Sequence, residues 1–343
     1  MAKKRAVLPL AVTMGEPAGI GIEITLKAWL GRRRHQLPPF VLLADPQAIA
    51  AAAAALGAAV PVAEVADPRQ AAARFAEALP VAPLALAQPA TPGAPDPANA
   101  AVVLAAIERA VTWARAGAVA GIVTNPIQKA SLYHAGFAYQ GHTDYLAHLC
   151  ECPEEPVMML AAPELRVVPV TVHVALRQAI ESLTGERIIH AGRVTARALA
   201  RDFACPRPRL AVAGLNPHAG EDGTIGSEEV EIIRPALQRL REEGHEVAGP
   251  LAADTMFHAA ARARYDAALC MYHDQALIPL KAIDFEGGVN VTLGLDIVRT
   301  SPDHGTALDI AGSGKASEAS LVAALRLAAE IAERRAAFDA AAR

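Results

Sequence analysis

Apolar runs of strand length alternate with longer helix-like stretches along almost the whole chain. The runs at residues 8–13, 40–43, 61–65, 120–124, 157–161, 165–174, 209–215 and 265–272 end in polar or turn residues, and each predicts a strand. The stretches 22–30, 44–55, 100–116, 185–201, 227–243 and 316–342 predict helices. Asn99 stands where a cap is needed for the helix at 100–116, Gly117 where that helix must stop, and Thr143 before a further helix. Residues 88–98 hold four prolines in eleven positions and predict a loop or linker, because proline lacks the amide donor and fixes its own φ. No internal repeat is visible. Regular alternation of strand and helix predicts an α/β protein with a largely parallel or mixed sheet.

At 343 residues, the chain is long enough for about two domains. A 53% hydrophobic content with 20% charged residues implies a globular chain. The formal charge of -4 and the absence of long basic runs give no nucleic-acid footprint. Lys3, Lys4 and Arg5 followed by apolar residues imitate a signal peptide. The apolar part is short, broken by Pro9, and runs on into Thr13-Met14-Gly15-Glu16, so a first strand is the better reading. The Ala-rich stretch 48–63 is too short to cross a bilayer. A cytoplasmic protein without membrane contact is expected. Cys150, Cys152, Cys205 and Cys270 form no C-x-x-C pair, which predicts free thiols.

The candidate chemistry lies where strands end. Gly15, Gly19 and Gly21 follow the first run and open a helix, as phosphate-binding loops do. Their spacing matches neither dinucleotide nor Walker patterns, so a tight strand-to-helix turn explains them equally well. His173, His218 and His273 each follow an apolar run, 45 and 55 residues apart. No local metal signature has that spacing, but three strands of one sheet can bring three imidazoles to one edge. Three imidazoles with open positions suit a catalytic divalent ion rather than a structural one. Asp274 adjoins His273 and is placed to fix its tautomer. Lys281, Asn290, Arg299 and Asp303-His304-Gly305 recur at strand-like intervals beyond it, a pattern suited to a small anionic substrate beside a metal or cofactor.

Five motifs together resemble one known family: 14–21 (MGEPAGIG), 141–144 (GHTD), 216–221 (NPHAGE), 272–275 (YHDQ) and 301–312 (SPDHGTALDIAG). They are similar, in order and over about residues 8–330, to the 4-hydroxythreonine-4-phosphate dehydrogenases of pyridoxal phosphate biosynthesis. The resemblance implies the two-domain fold of the isocitrate and isopropylmalate dehydrogenases, with the active site in the interdomain cleft. One domain would comprise residues 1–130 with about 290–343, on the cofactor side. The other, about 131–289, would carry the metal ligands and the dimer interface.

The implied reaction is NAD-dependent oxidation of 4-phosphooxy-L-threonine to 2-amino-3-oxo-4-phosphooxybutanoate, which decarboxylates to 3-amino-2-oxopropyl phosphate. NADP is the other cofactor to consider. By the same resemblance, His173, His218 and His273 bind one zinc, cobalt or magnesium ion. His142, Thr143, Lys281, Asn290 and Arg299 hold the substrate. Asp254, His142 and Lys281 are candidates for the general base, and Asp254 corresponds to a residue that the partner subunit contributes in a homodimer. Asn216, Gly220, Glu221 and Gly223 in one loop, and Asp303, His304 and Gly305 in another, line the cofactor.

Four positions depart from the family pattern. Ile22 replaces a proline, Val174-Ala175 replaces Leu-Pro, Ala276 replaces a glycine, and Asp296 stands where proline is usual. Asp296 is expected to face water rather than oppose a phosphate. These departures leave open a paralogue that acts on D-threonate or D-erythronate 4-phosphate or on a cyclic diol.

Overall fold

The computed structural model describes residues 8–139 and 141–341. Lys3, Lys4, Arg5 and the end of the expected tail helix at Ala342 lie outside them. Twelve strands are present among the described residues: β1 (Leu10–Thr13), β2 (Phe40–Ala44), β3 (Val62–Glu64), β4 (Leu79–Pro83), β5 (Gly121–Thr124), β6 (Val157–Ala162), β7 (Leu165–Pro169), β8 (Arg209–Ala213), β9 (Glu246–Leu251), β10 (Ala267–Cys270), β11 (Val289–Leu293) and β12 (Arg299–Pro302). Most pair in parallel, and helices flank them, which makes the fold mixed α/β. The chain divides into two compact units, Met1–Glu155 with Leu295–Ala332, and Pro156–Gly294 with Glu333–Arg343.

In the first unit the strand order is β3-β4-β2-β1-β5-β12, with parallel pairing throughout. Strands β1, β2 and β5 are fully buried, which explains why they read as unbroken apolar runs rather than alternating ones. β1 lies between β2 and β5, so the winding reverses there and leaves a crevice beyond the carboxyl ends of these strands.

The glycines after β1 are there for close approach. A Cβ on Gly21 would lie 2.3 Å from the Met14 carbonyl oxygen. Gly15 has φ +71°, and its Cβ would lie 2.5 Å from the Pro126 carbonyl oxygen. Buried Asn125 closes the turn: its Nδ2 donates to the Thr13 carbonyl and to Thr25 Oγ1, both at 3.0 Å. The tight-turn reading of this motif is therefore sufficient. The proline-rich segment also packs here, with the Gly93 amide donating to the Ala18 carbonyl at 2.8 Å.

The second unit orders its strands β11-β6-β7-β10-β8-β9. β6 runs antiparallel to both β7 and β11, while β7, β10, β8 and β9 are parallel. The long helix Gly185–Asp202 packs on Arg234–Glu242 and covers this sheet. Its end is tied to the tail helix Ala319–Ala341, where Arg335 donates to both oxygens of buried Asp202 at 2.8 and 2.9 Å.

Several local expectations change. The strand expected at 165–174 stops at Pro169, because the chain turns through Thr171 to a left-handed His173 with φ +52°. The strand expected at 265–272 is confined to Ala267–Cys270, and Tyr272 already precedes the helix His273–Ile283. Asn99 heads its helix, but its amide serves Gln88 instead of a helix N–H, with both bonds at 3.0 Å. Gly141, not Thr143, precedes the helix His142–Leu149, so Thr143 sits in its first turn. The stretch 227–243 starts as a π-turn, Glu229–Ile233, before the regular helix. All four cysteines are free. Among the described residues no helix is long and apolar enough to cross a membrane.

Gly21→Ala tests the close packing of the first turn. It is expected to destabilise the protein by about 1–3 kcal/mol or more, because the backbone must shift to admit the methyl group. An unchanged urea midpoint would contradict the packing argument.

Candidate active site

In the second unit the central parallel strands β7, β10 and β8 are neighbours. His173, His273 and His218 follow their carboxyl ends by four, three and five residues, counted from Pro169, Cys270 and Ala213. Two of the three imidazoles meet. The rings of His173 and His273 are 5.7 Å apart, in a cavity of about 210 Å³ that Thr171, Leu176, Tyr272 and Asp274 also line. Asp274 Oδ1 lies 2.7 Å from His273 Nδ1. That contact favours the tautomer whose Nδ1–H faces the carboxylate, which leaves Nε2 as the bare nitrogen for a ligand.

His218 is not brought to this pair. Among the described residues no three His, Cys, Asp or Glu side chains form a set able to hold a metal ion. The reason lies in the backbone: residues His218, Ala219, Gly220, Glu221 and Asp222 all have positive φ, between 39° and 77°. Left-handed turns cost non-glycine residues about 1–2 kcal/mol each. This one leaves His218 exposed on its 3₁₀ loop. The donor chemistry of His173 and His273 fits a divalent ion, and His218 would have to join from its loop.

The first unit holds a second cluster. Arg299, at the start of β12, is only 4% exposed; its Nη2 and Nε lie 2.7 and 3.2 Å from Thr124 Oγ1 at the end of β5. Burial lowers its pKa to about 10, so it stays cationic at neutral pH. His142 heads its helix, and its Nε2 is shielded from solvent and has no hydrogen-bond partner. Burial first, then the positive charges of Arg299 and Lys129, hold this imidazole well below its ordinary range. A neutral imidazole beside two cations suits an anion such as phosphate. Thr143 lies in the same first helical turn.

The other expected residues are spread over both units. Lys281 is in the last turn of helix His273–Ile283, with Nζ 5.1 Å from the Phe285 ring centroid. Asn290 is on β11, with Oδ1 buried and unpartnered. Asp254 is exposed on the short turn Ala253–Thr255. Asn216, Gly220, Glu221 and Gly223 belong to the left-handed loop. In the first unit, Asp303, His304 and Gly305 follow β12. His304 Nδ1 lies 3.0 Å from the Gly305 carbonyl, and its Nε2 is buried without a partner. Nearby, the Thr306 carbonyl accepts from Ile20 N–H at 3.1 Å, so this loop rests on the glycine turn. Asp296 is half exposed and pairs with Arg115 at 3.3 Å. Thr124 and Lys129, the neighbours of Arg299 and His142, were not legible: one ends an apolar strand, and the other is a single lysine that opens the helix Lys129–His134.

The architecture is that of a mostly parallel α/β protein with a histidine pair beyond two strand ends and a buried arginine close to a third imidazole, a class that includes many metabolic enzymes. The chain belongs to the family of the pyridoxal phosphate biosynthetic protein PdxA, whose profile matches residues 36–328. It is 54% identical over 338 residues to a 4-hydroxythreonine-4-phosphate dehydrogenase of Bradyrhizobium diazoefficiens, covering 95% of this chain and 98% of that one. A protein of the same name from Caulobacter vibrioides is 53% identical over 332 residues, with 95% and 98% coverage. The crystal structure of 4-hydroxythreonine-4-phosphate dehydrogenase from Klebsiella pneumoniae superimposes with a TM-score of 0.85 at 40% identity, covering 96% of this chain and 99% of that one.

The environment of His142 sets a pH dependence. The unfolded chain takes up a proton near the ordinary value of 6.5, but the native imidazole does not until well below it. This contribution to stability is therefore fully present above pH 6.5 and is lost as the pH falls below it. In a proton NMR titration, the His142 signal, assigned with His142→Gln, is expected to stay neutral through pH 6.5. Titration at 6.5 or above would overturn the assignment.

Proposed function

We propose that this chain is a 4-hydroxythreonine-4-phosphate dehydrogenase, acting in the cytoplasm. It oxidises the hydroxyl-bearing carbon of 4-phosphooxy-L-threonine with NAD or NADP, and the resulting 2-amino-3-oxo-4-phosphooxybutanoate loses carbon dioxide to give 3-amino-2-oxopropyl phosphate. The observation that carries this reading is sequence identity above 50% over nearly the full length of relatives bearing that name.

The residues support each part of the chemistry. Arg299 and His142, with Thr143 beside them, are suited to the phosphate: the guanidinium is held in place by Thr124 and stays charged. Lys281 and Asn290 bind the rest of the substrate. His173 and His273, joined by His218, hold one divalent ion. Zinc, cobalt and magnesium are the candidates, and imidazole donors favour the first two. Bound there, such an ion supplies a Lewis acid for hydride loss and decarboxylation. The hydroxyl proton passes to a base among Asp254, His142 and Lys281, of which His142 enters uncharged. The loops at Asn216–Gly223 and Asp303–Gly305 bind the nicotinamide cofactor.

An isocitrate dehydrogenase-like division of labour between two domains and a homodimer complete the reading. For the dimer, the second unit exposes Leu176 at 58%, Ile278 at 67% and Phe285 at 75%. Apolar groups this exposed suit a protein interface.

Absorbance of NADH on mixing the metal-loaded protein with NAD tests the function. Reduction with 4-phosphooxy-L-threonine, and much less with D-threonate 4-phosphate, is expected; the opposite preference would refute it. Arg299→Lys removes the forked donor and is expected to raise KM about tenfold, the worth of one charge-assisted bond, with the unfolding midpoint little changed. An unchanged KM would remove Arg299 from the substrate site.

A further inference from the structure

The three histidine-bearing segments of the second unit are linked by a chain of hydrogen bonds that the reaction itself does not use. Thr171 Oγ1, two residues before His173, donates to the Met271 carbonyl at 2.8 Å. The Met271 N–H donates to Gln275 Oε1 at 2.7 Å. Gln275 Nε2 in turn donates to the Gly214 carbonyl, also at 2.7 Å, at the root of the loop that carries His218. Beyond that root, Asn216 is clamped from the other side. Its N–H and Nδ2 donate to the two oxygens of Glu229 at 2.7 and 2.9 Å, and Nδ2 donates to Glu228 at 2.7 Å.

Both central groups are buried. Gln275 is 8% exposed and Glu229 is fully buried. The fit leaves no room for change: a Cβ on Gly214 would stand 3.0 Å from Glu229 Oε1, and one on Gly220 would stand 2.5 Å from Glu229 Oε2. A primary amide suits the Gln275 position, because one end must accept from an N–H while the other donates to a carbonyl. Leaving either group unpaired in this buried place is costly.

We infer that Gln275 is a positioning residue that fixes the root of the His218 loop to the turn bearing His273, and so governs metal affinity without touching the ion. The left-handed course of residues 218–222 makes the tether necessary, since a loop so strained relaxes when its root is released. Its link to metal rests on the three-histidine reading above; its link to the loop does not.

The test uses the full-length protein with Gln275→Met, which removes both bonds at similar volume, and Gln275→Glu, which keeps an acceptor for Met271 but loses the donor to Gly214. Amide hydrogen exchange of the metal-free protein is read by mass spectrometry over peptides covering 214–224. Cobalt(II) binding is read from its d–d absorption, with His273→Ala as control. Both variants are expected to exchange faster over 214–224 than the wild type, and to bind cobalt about 10-fold or more weakly, as for other residues that orient metal ligands. Exchange and affinity equal to wild type in both variants would overturn the proposal. If cobalt binds His273→Ala as it binds the wild type, the metal reading fails, and the exchange result alone then decides whether Gln275 tethers the loop.

Discussion

Parallel pairing of β7, β10 and β8 is the constraint on which the second unit depends. Parallel neighbours end on the same edge, so residues far apart in sequence reach one place without any local motif. That explains how His173 and His273, a hundred residues apart, come to face each other. It also explains why the links between them are backbone-directed. Thr171, Gln275 and Glu229 each bond to a main-chain group of another segment, and Glu229 also holds the Asn216 side chain.

The first unit uses burial where the second uses topology. Arg299 is almost fully enclosed, yet it keeps its charge and bonds to Thr124. Its field and that of Lys129 reinforce the effect of burial on His142, so the imidazole is neutral where the cations are not. The arrangement sets two positive charges beside one uncharged ring, which suits them to an anion and the ring to hydrogen bonding or proton acceptance. Asn125 and the close-packed glycines after β1 give the neighbouring loops a rigid base.

Much of this was legible in the sequence where burial is complete. Strands β1, β2, β5, β8 and β10 are buried throughout or nearly so, and each stood out as an apolar run. β4 and β9 were not legible, because Pro80, Pro83 and Pro250 within them read as breakers, and β9 is mostly part-exposed. The helix at His273 was hidden by Pro279 in its interior and by the polar residues that open it. The candidate histidines were legible from their place after apolar runs, and the resemblance of five motifs supplied the roles proposed for them. The left-handed path that separates His218 from the other two was not, since four of its five residues are not glycine and nothing in their order announces positive φ. Gln275 and Glu229 were equally silent, because Gln275 bonds to backbone groups and Glu229 to the N–H and side-chain amide of one asparagine 13 residues away.

The claim that three separated imidazoles serve one cation is tested most directly by X-ray absorption spectroscopy of the protein loaded with one equivalent of zinc. The account predicts a shell containing three imidazole nitrogens at about 2.0–2.1 Å, falling to two in His218→Ala. A wild-type shell with two imidazoles or fewer, or one that His218→Ala leaves unaltered, would contradict it.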